Sequence, residues 1–96
     1  METGHFEWDD NKADSVMRDR GISFWDACGV FDDPDALTVP ANDSWNELRD
    51  WTIGRVDGVL LTVTHTDGDD GRIRLITVWR SDKDEMDAYA AQWPAP

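Results

Sequence analysis

The chain has little cysteine, little lysine and no long apolar run. Its single cysteine, Cys28, excludes an internal disulfide, and with only two histidines present it also excludes a Cys2His2-type zinc site. Lysine occurs only at Lys12 and Lys83. The best apolar run, "VLLTV", is five residues, far too short to cross a bilayer. Residues 1–20 are polar and charged and carry no secretory core. A cytoplasmic protein without membrane contact is the expectation.

What the chain does have is acid. Twenty-one acidic residues stand against nine basic ones, a net charge of -12, and aspartate outnumbers glutamate 17 to 4. Such a charge favours solubility, repels nucleic acid at long range and suits a basic protein partner. In a saline host, salt would screen the repulsion. Ninety-six residues, 40% of them hydrophobic and six of them tryptophan, fit one domain over residues 1–96 with a single modest core.

The patterning predicts an α+β fold. A short extended piece, His5 to Trp8, precedes a helix capped by Asp9 or Asp10, with Ala13, Val16 and Met17 on its apolar face. Gly21 stops that helix, and Ser23 starts a second, "SFWDACGVF", ended by "DDPD". The period then changes from helical to alternating. "ALTVP" reads as a short strand and "ANDSWNE" as a loop presenting Trp45. "LRDWTIGRV", "VLLTVTHT" and "RIRLITVW" read as an antiparallel meander joined by Asp57-Gly58 and by "DGDDG". Ser81 is expected to cap a last helix with Met86, Tyr89, Ala90 and Trp93 facing inward.

Against this acidity, "GRIRLITVWRSDK", residues 71–83, sums to +3 and leaves -15 for the rest. Strand alternation puts Arg72 and Arg74 on one face, with Arg80 joining them if the strand is unbroken, and Ile73, Leu75 and Trp79 on the other. Lys83 follows at the start of the last helix, and the preceding turn brings His65 back beside the arginines. Arg49, on the strand before, is within range of the same region. Guanidinium groups bind phosphate bidentately and stay charged. A histidine can move a proton near neutrality. Together they suit cleavage of RNA by its own 2'-OH, which needs a base, an acid and cations rather than a metal. The alternative for the same residues is a set of surface ion pairs with the abundant acids.

Two blocks carry a resemblance. "FEWDDNKADSVMRDRGISFWDACGVFDDPDALTV" and "RDWTIGRVDGVLLTVTHTDGDDGRIRLITVWR" resemble BrnT-type toxins over roughly residues 6 to 90. The resemblance implies a RelE-like α+β fold: an antiparallel sheet with two N-terminal helices and one C-terminal helix packed on it. It implies a metal-independent endoribonuclease without cofactor, acting on RNA and neutralised by a BrnA-type antitoxin. Contact with DNA would then come only through the antitoxin. By position, the resemblance implies catalytic roles for His65, Arg74 and Arg80, and RNA-positioning roles for Arg49, Arg72 and Lys83. Three positions depart from the family pattern: Arg20 replaces a histidine, Trp79 replaces a basic residue, and the last helix has lost most of its basic cluster. Trp79 is a candidate to stack on a base, or else a core residue. A second reading is a toxin fold that has lost catalysis and acts only by binding its antitoxin. A third, an acidic nucleic-acid mimic, leaves the +3 run unexplained.

Overall fold

The computed structural model of the chain describes residues 1–40 and 49–93. Trp45 and the polar loop around it, with Pro94 and Pro96, lie outside the described residues.

Two aspartate–glycine steps shape the sheet. Asp57 (φ 49°) and Gly58 (φ 82°) both hold positive φ, the geometry of a tight hairpin whose twist matches its strands. This turn joins β3 (Asp50–Val56) to β4 (Val59–Asp67). A single 3-10 turn, Asp69–Gly71, with Asp70 and Gly71 again at positive φ, leads into β5 (Ile73–Arg80). β2 (Leu37–Pro40) pairs antiparallel with β3, and β1 (Phe6–Glu7) pairs in parallel with β5. The sheet order is β1-β5-β4-β3-β2, the expected meander with a short parallel strand added at one edge.

Each helix begins where a side chain accepts the free N–H groups of its first turn. Asp9 accepts from Asn11 and Lys12 and starts α1 (Asp10–Arg20), which ends at Gly21 in the left-handed conformation. Ser23 accepts from Trp25 and starts α2 (Phe24–Gly29), which runs into a 3-10 turn at Val30–Asp32. α3 (Lys83–Ala90) starts at Asp82, not at Ser81. Asp82 wins because Glu85, three residues on, returns the hydrogen bond and completes a capping box. The Ser81 hydroxyl is instead engaged with Thr62 at 2.8 Å.

Directly paired strand residues share a face of the sheet, which fixes the layers. α1 and α2 cover one face, over a core of Val16, Phe24, Val30, Leu61, Val63, Leu75 and Val78. Gly54 is required there: a Cβ would stand 2.7 Å from the Val30 carbonyl oxygen. α3 covers the opposite face, where Ile53, Thr62 and Trp79 lie.

Two helical faces differ from expectation. Val16 carries the buried side of α1, while Met17 is 48% exposed. Met86 and Ala90 of α3, and Trp93 just beyond it, are exposed, and the buried pair of the helix is Glu85 and Tyr89. α3 is held by polar bonds more than by apolar packing. The Tyr89 hydroxyl donates to Asp33 at 2.7 Å, and the same carboxylate accepts the backbone N–H of Arg55 at 2.8 Å. Burial pushes the Asp33 carboxyl up, but these donors outweigh it and hold the group below the usual carboxylate range. Burial also pushes the half-buried Cys28 thiol up to about 11, which makes it inert.

Candidate functional site

The strand β5 carries Arg74 and Arg80, and one irregularity decides where they point. Thr64 pairs with Thr77, but His65 pairs with Leu75, so Ile76 is an extra residue without a partner in β4. A bulge of this kind shifts the alternation of the strand by one residue. Before it, Arg74 lies opposite Thr66; after it, Trp79 lies opposite Thr62 and Arg80 opposite Leu61. Arg80 therefore shares a face with Leu61, Val63 and Val78, the α1/α2 side, while Arg74 projects from the other face. Trp79 is likewise on the α3 side, not with Leu75. The unbroken alternation expected from the sequence fails because the bulge has no residue signature of its own.

His65 also lies on the α1/α2 side. It is 8% exposed, its Nε2 stands 2.7 Å from the Thr52 hydroxyl, and Phe31 packs edge-on over its ring at 5.0 Å. Burial lowers its pKa, against the opposing pull of Asp50 and Asp67. The imidazole is thus neutral near pH 7. Its strand partner is Leu75, so it is next to Arg74 in the sheet but faces away from it. His65 is four steps along β4 from Leu61, the partner of Arg80, a distance of about 13 Å at 3.3 Å per residue. The structure therefore does not gather His65, Arg74 and Arg80 around one point.

Most of the other cations have acidic partners. Arg74 Nη1 stands 2.9 Å from Glu7 Oε2, and the second oxygen of Glu7 accepts the Asp69 N–H at 2.8 Å. That N–H, with Arg74, holds the Glu7 carboxyl below its ordinary value against the effect of burial. Arg72 donates to the Thr3 carbonyl at 3.2 Å and lies 3.6 Å from Asp70. Lys83 pairs with Asp87 one turn along α3 at 2.8 Å. Arg49 immediately precedes β3 and is half-buried. Arg80 is different. It is exposed, has no ion-pair partner among the described residues, and lines a shallow cavity of about 180 Å³ with Gly21, Ile22, Val59 and Leu61 and with the carboxylates of Asp26 and Asp57.

Three residues that the sequence reading left without a role set up this arrangement. Beyond Arg74, β5 has no outer strand neighbour among the described residues, because β1 is only two residues long. Arg20, in the last turn of α1, closes that edge: its Nη1 donates to the Thr77 hydroxyl at 2.9 Å and to the Val78 carbonyl at 3.0 Å. Arg20 and Arg80 thus flank the same end of the strand. Glu7 pins Arg74. Glu85 collects Thr62, the Asp82 N–H and the Trp79 indole N–H, the last at 2.8 Å, so Trp79 is tied into a polar cluster. It also packs edge-on against Trp51 at 5.3 Å. A basic residue just before a helix-ending glycine was the one available signal for Arg20; a buried glutamate gives none.

No described helix is long and apolar enough to span a membrane. A family model described as "Ribonuclease toxin, BrnT, of type II toxin-antitoxin system" matches residues 8–85. No curated protein matches the chain.

Proposed function

The chain belongs to the BrnT family of ribonuclease toxins of type II toxin–antitoxin systems, and on that premise we propose that it cleaves RNA without a metal and is neutralised by a BrnA-type antitoxin. The family match over residues 8–85 carries this reading. In the reaction, the RNA 2'-oxygen attacks the adjacent phosphorus and the 5'-oxygen leaves. A base takes the 2'-proton and an acid supplies one to the leaving oxygen, giving a 2',3'-cyclic phosphate. Arg80 is assigned to the scissile phosphate, because its guanidinium is exposed and unpaired among the described residues. His65 faces the α1/α2 core under Phe31, about 13 Å along β4 from the partner of Arg80, too far to move a proton at a phosphate that Arg80 holds, so the base and the acid of this step are not assigned to it. Arg74, Arg72, Arg49 and Lys83 are assigned to backbone phosphates, with RNA displacing Glu7 from Arg74 and Asp87 from Lys83.

A second reading has its own support. Arg74, Arg72 and Lys83 all face carboxylates of this chain, and His65 is covered. A toxin fold in that state would bind its antitoxin without cleaving RNA. Induced expression in the absence of antitoxin separates the two. Growth arrest with RNA cleavage, both abolished in a folded Arg80→Ala variant, supports the enzyme. Harmless accumulation of folded wild-type protein at a suitable salt concentration supports the binding protein and refutes catalysis.

A further inference from the structure

The cleft between α1 and α2 is lined by none of the residues assigned to RNA. Asp10, Ala13, Asp14 and Met17 fall at i, i+3, i+4 and i+7 of α1 and form one wall. Phe24 and Trp25 of α2 form the other, with Trp8 beneath, around a volume of about 270 Å³. The core under this face is closed by Val16 and Phe24, yet Trp25 is 56% exposed and Met17 48%. Trp25 is held edge-on against Trp8 at 5.0 Å, so it is presented as a rigid aromatic wall. Rigid, partly exposed tryptophans beside an apolar slot are the residues that dominate protein interfaces. The rim is acidic. Asp10 meets the terminal amine at 3.3 Å, and Asp14 has no partner among the described residues.

We propose that this cleft is the docking site for a basic amphipathic helix of the antitoxin. A large apolar side chain of that helix inserts between Met17 and Trp25, and its lysines or arginines pair with Asp14 and Asp10. The slot lies between two helices, the geometry that accepts a helix in a groove rather than an added strand. Carboxylates on a rim lined by no arginine or lysine disfavour a phosphate backbone, and the net charge of -12 draws a cationic partner to the surface. The cleft lies toward the N-terminal end of α1, whereas Arg80 lies beyond its C-terminal end beside Gly21. The grip on the antitoxin is thus separate from the cation assigned to RNA. This inference rests on the toxin–antitoxin reading above.

The test is calorimetric titration of the intact chain with the purified antitoxin from the adjacent reading frame, using Trp25→Ser, Asp14→Lys and Arg80→Ala. Asp14 is an exposed helical position, so its charge reversal leaves the fold intact, as circular dichroism will verify. Trp25→Ser and Asp14→Lys are each expected to weaken binding by at least about tenfold. Asp14→Lys should also flatten the salt dependence, and Arg80→Ala should bind as the wild type does. Wild-type affinity in both cleft variants overturns the site while leaving the toxin–antitoxin pairing intact. Failure of the wild-type chain to bind the antitoxin at all overturns the pairing, and the docking site with it.

Discussion

Replacing Trp79 with phenylalanine separates a structural role from a base-stacking one. The indole N–H donates to Glu85 Oε1 at 2.8 Å and approaches Oε2 at 3.3 Å. Hydrogen bonds to charged groups contribute about 1.5–3 kcal/mol. Glu85 keeps two other donors, the Thr62 hydroxyl and the Asp82 N–H, so the loss belongs near the lower end, about 1.5 kcal/mol. Phenylalanine retains part of the edge-on contact with Trp51, which removes roughly another 0.5 kcal/mol. The total is about 2 kcal/mol, a fall in Tm of roughly 8–16 °C for a domain of this size. Urea and thermal unfolding followed by circular dichroism measure it without relying on the fluorescence of the residue removed. RNA cleavage by the folded fraction should be unchanged. A variant as stable as the wild type to within about 0.5 kcal/mol would refute the structural assignment. A variant of normal stability with lost cleavage would put Trp79 on the substrate instead.

Gly54→Ala should be more damaging than its size suggests, by about 1–3 kcal/mol in urea unfolding, because its Cβ meets Val30 backbone at 2.7 Å. An unchanged midpoint would mean that the helical layer slides freely over β3. Acid should act in two windows. The lowered pKa of His65 means the unfolded chain binds a proton that the folded chain refuses, so stability is full above about pH 6.5 and falls as the pH drops below it. Glu7 and Asp33, whose folded pKa values are depressed, add a second loss below about pH 4.5 as they protonate. His65→Gln should flatten the first window and leave the second; an unaltered slope just below about pH 6.5 would show that His65 is not the group responsible.

Local chemistry was legible wherever a residue's own backbone preference decided the outcome. Asp57-Gly58 announced its hairpin because few pairs hold positive φ twice, and Asp9, Ser23 and Gly21 bounded their helices by hydrogen bonds made within a turn. The element order followed from these. What stayed hidden depended on neighbours distant in sequence. Asp82 displaced Ser81 as a cap because Thr62, on another strand, engages the serine. Glu85 replaced Met86 on the buried side of α3 because Trp79 and Thr62 supply its donors. The basic run was visible as a run, but its charges are divided between two faces, and most of them are answered by acids from β1, the Asp69–Gly71 turn and α3.

The extra residue at Ile76 makes the direction of the final cation a question of chain count rather than of side-chain identity. Removing Ile76 would straighten the ladder and leave every other pair as it is, because the residue lost is the one without a partner. Arg80 would still lie opposite Leu61 and Arg74 opposite Thr66, on opposite faces of the sheet. The faces of the two cations are therefore set by β4, where their partners stand an odd number of residues apart. The extra residue is what lets the even spacing from Arg74 to Arg80 fit that odd one, so the loss of a single codon there would not merge the two groups of charge.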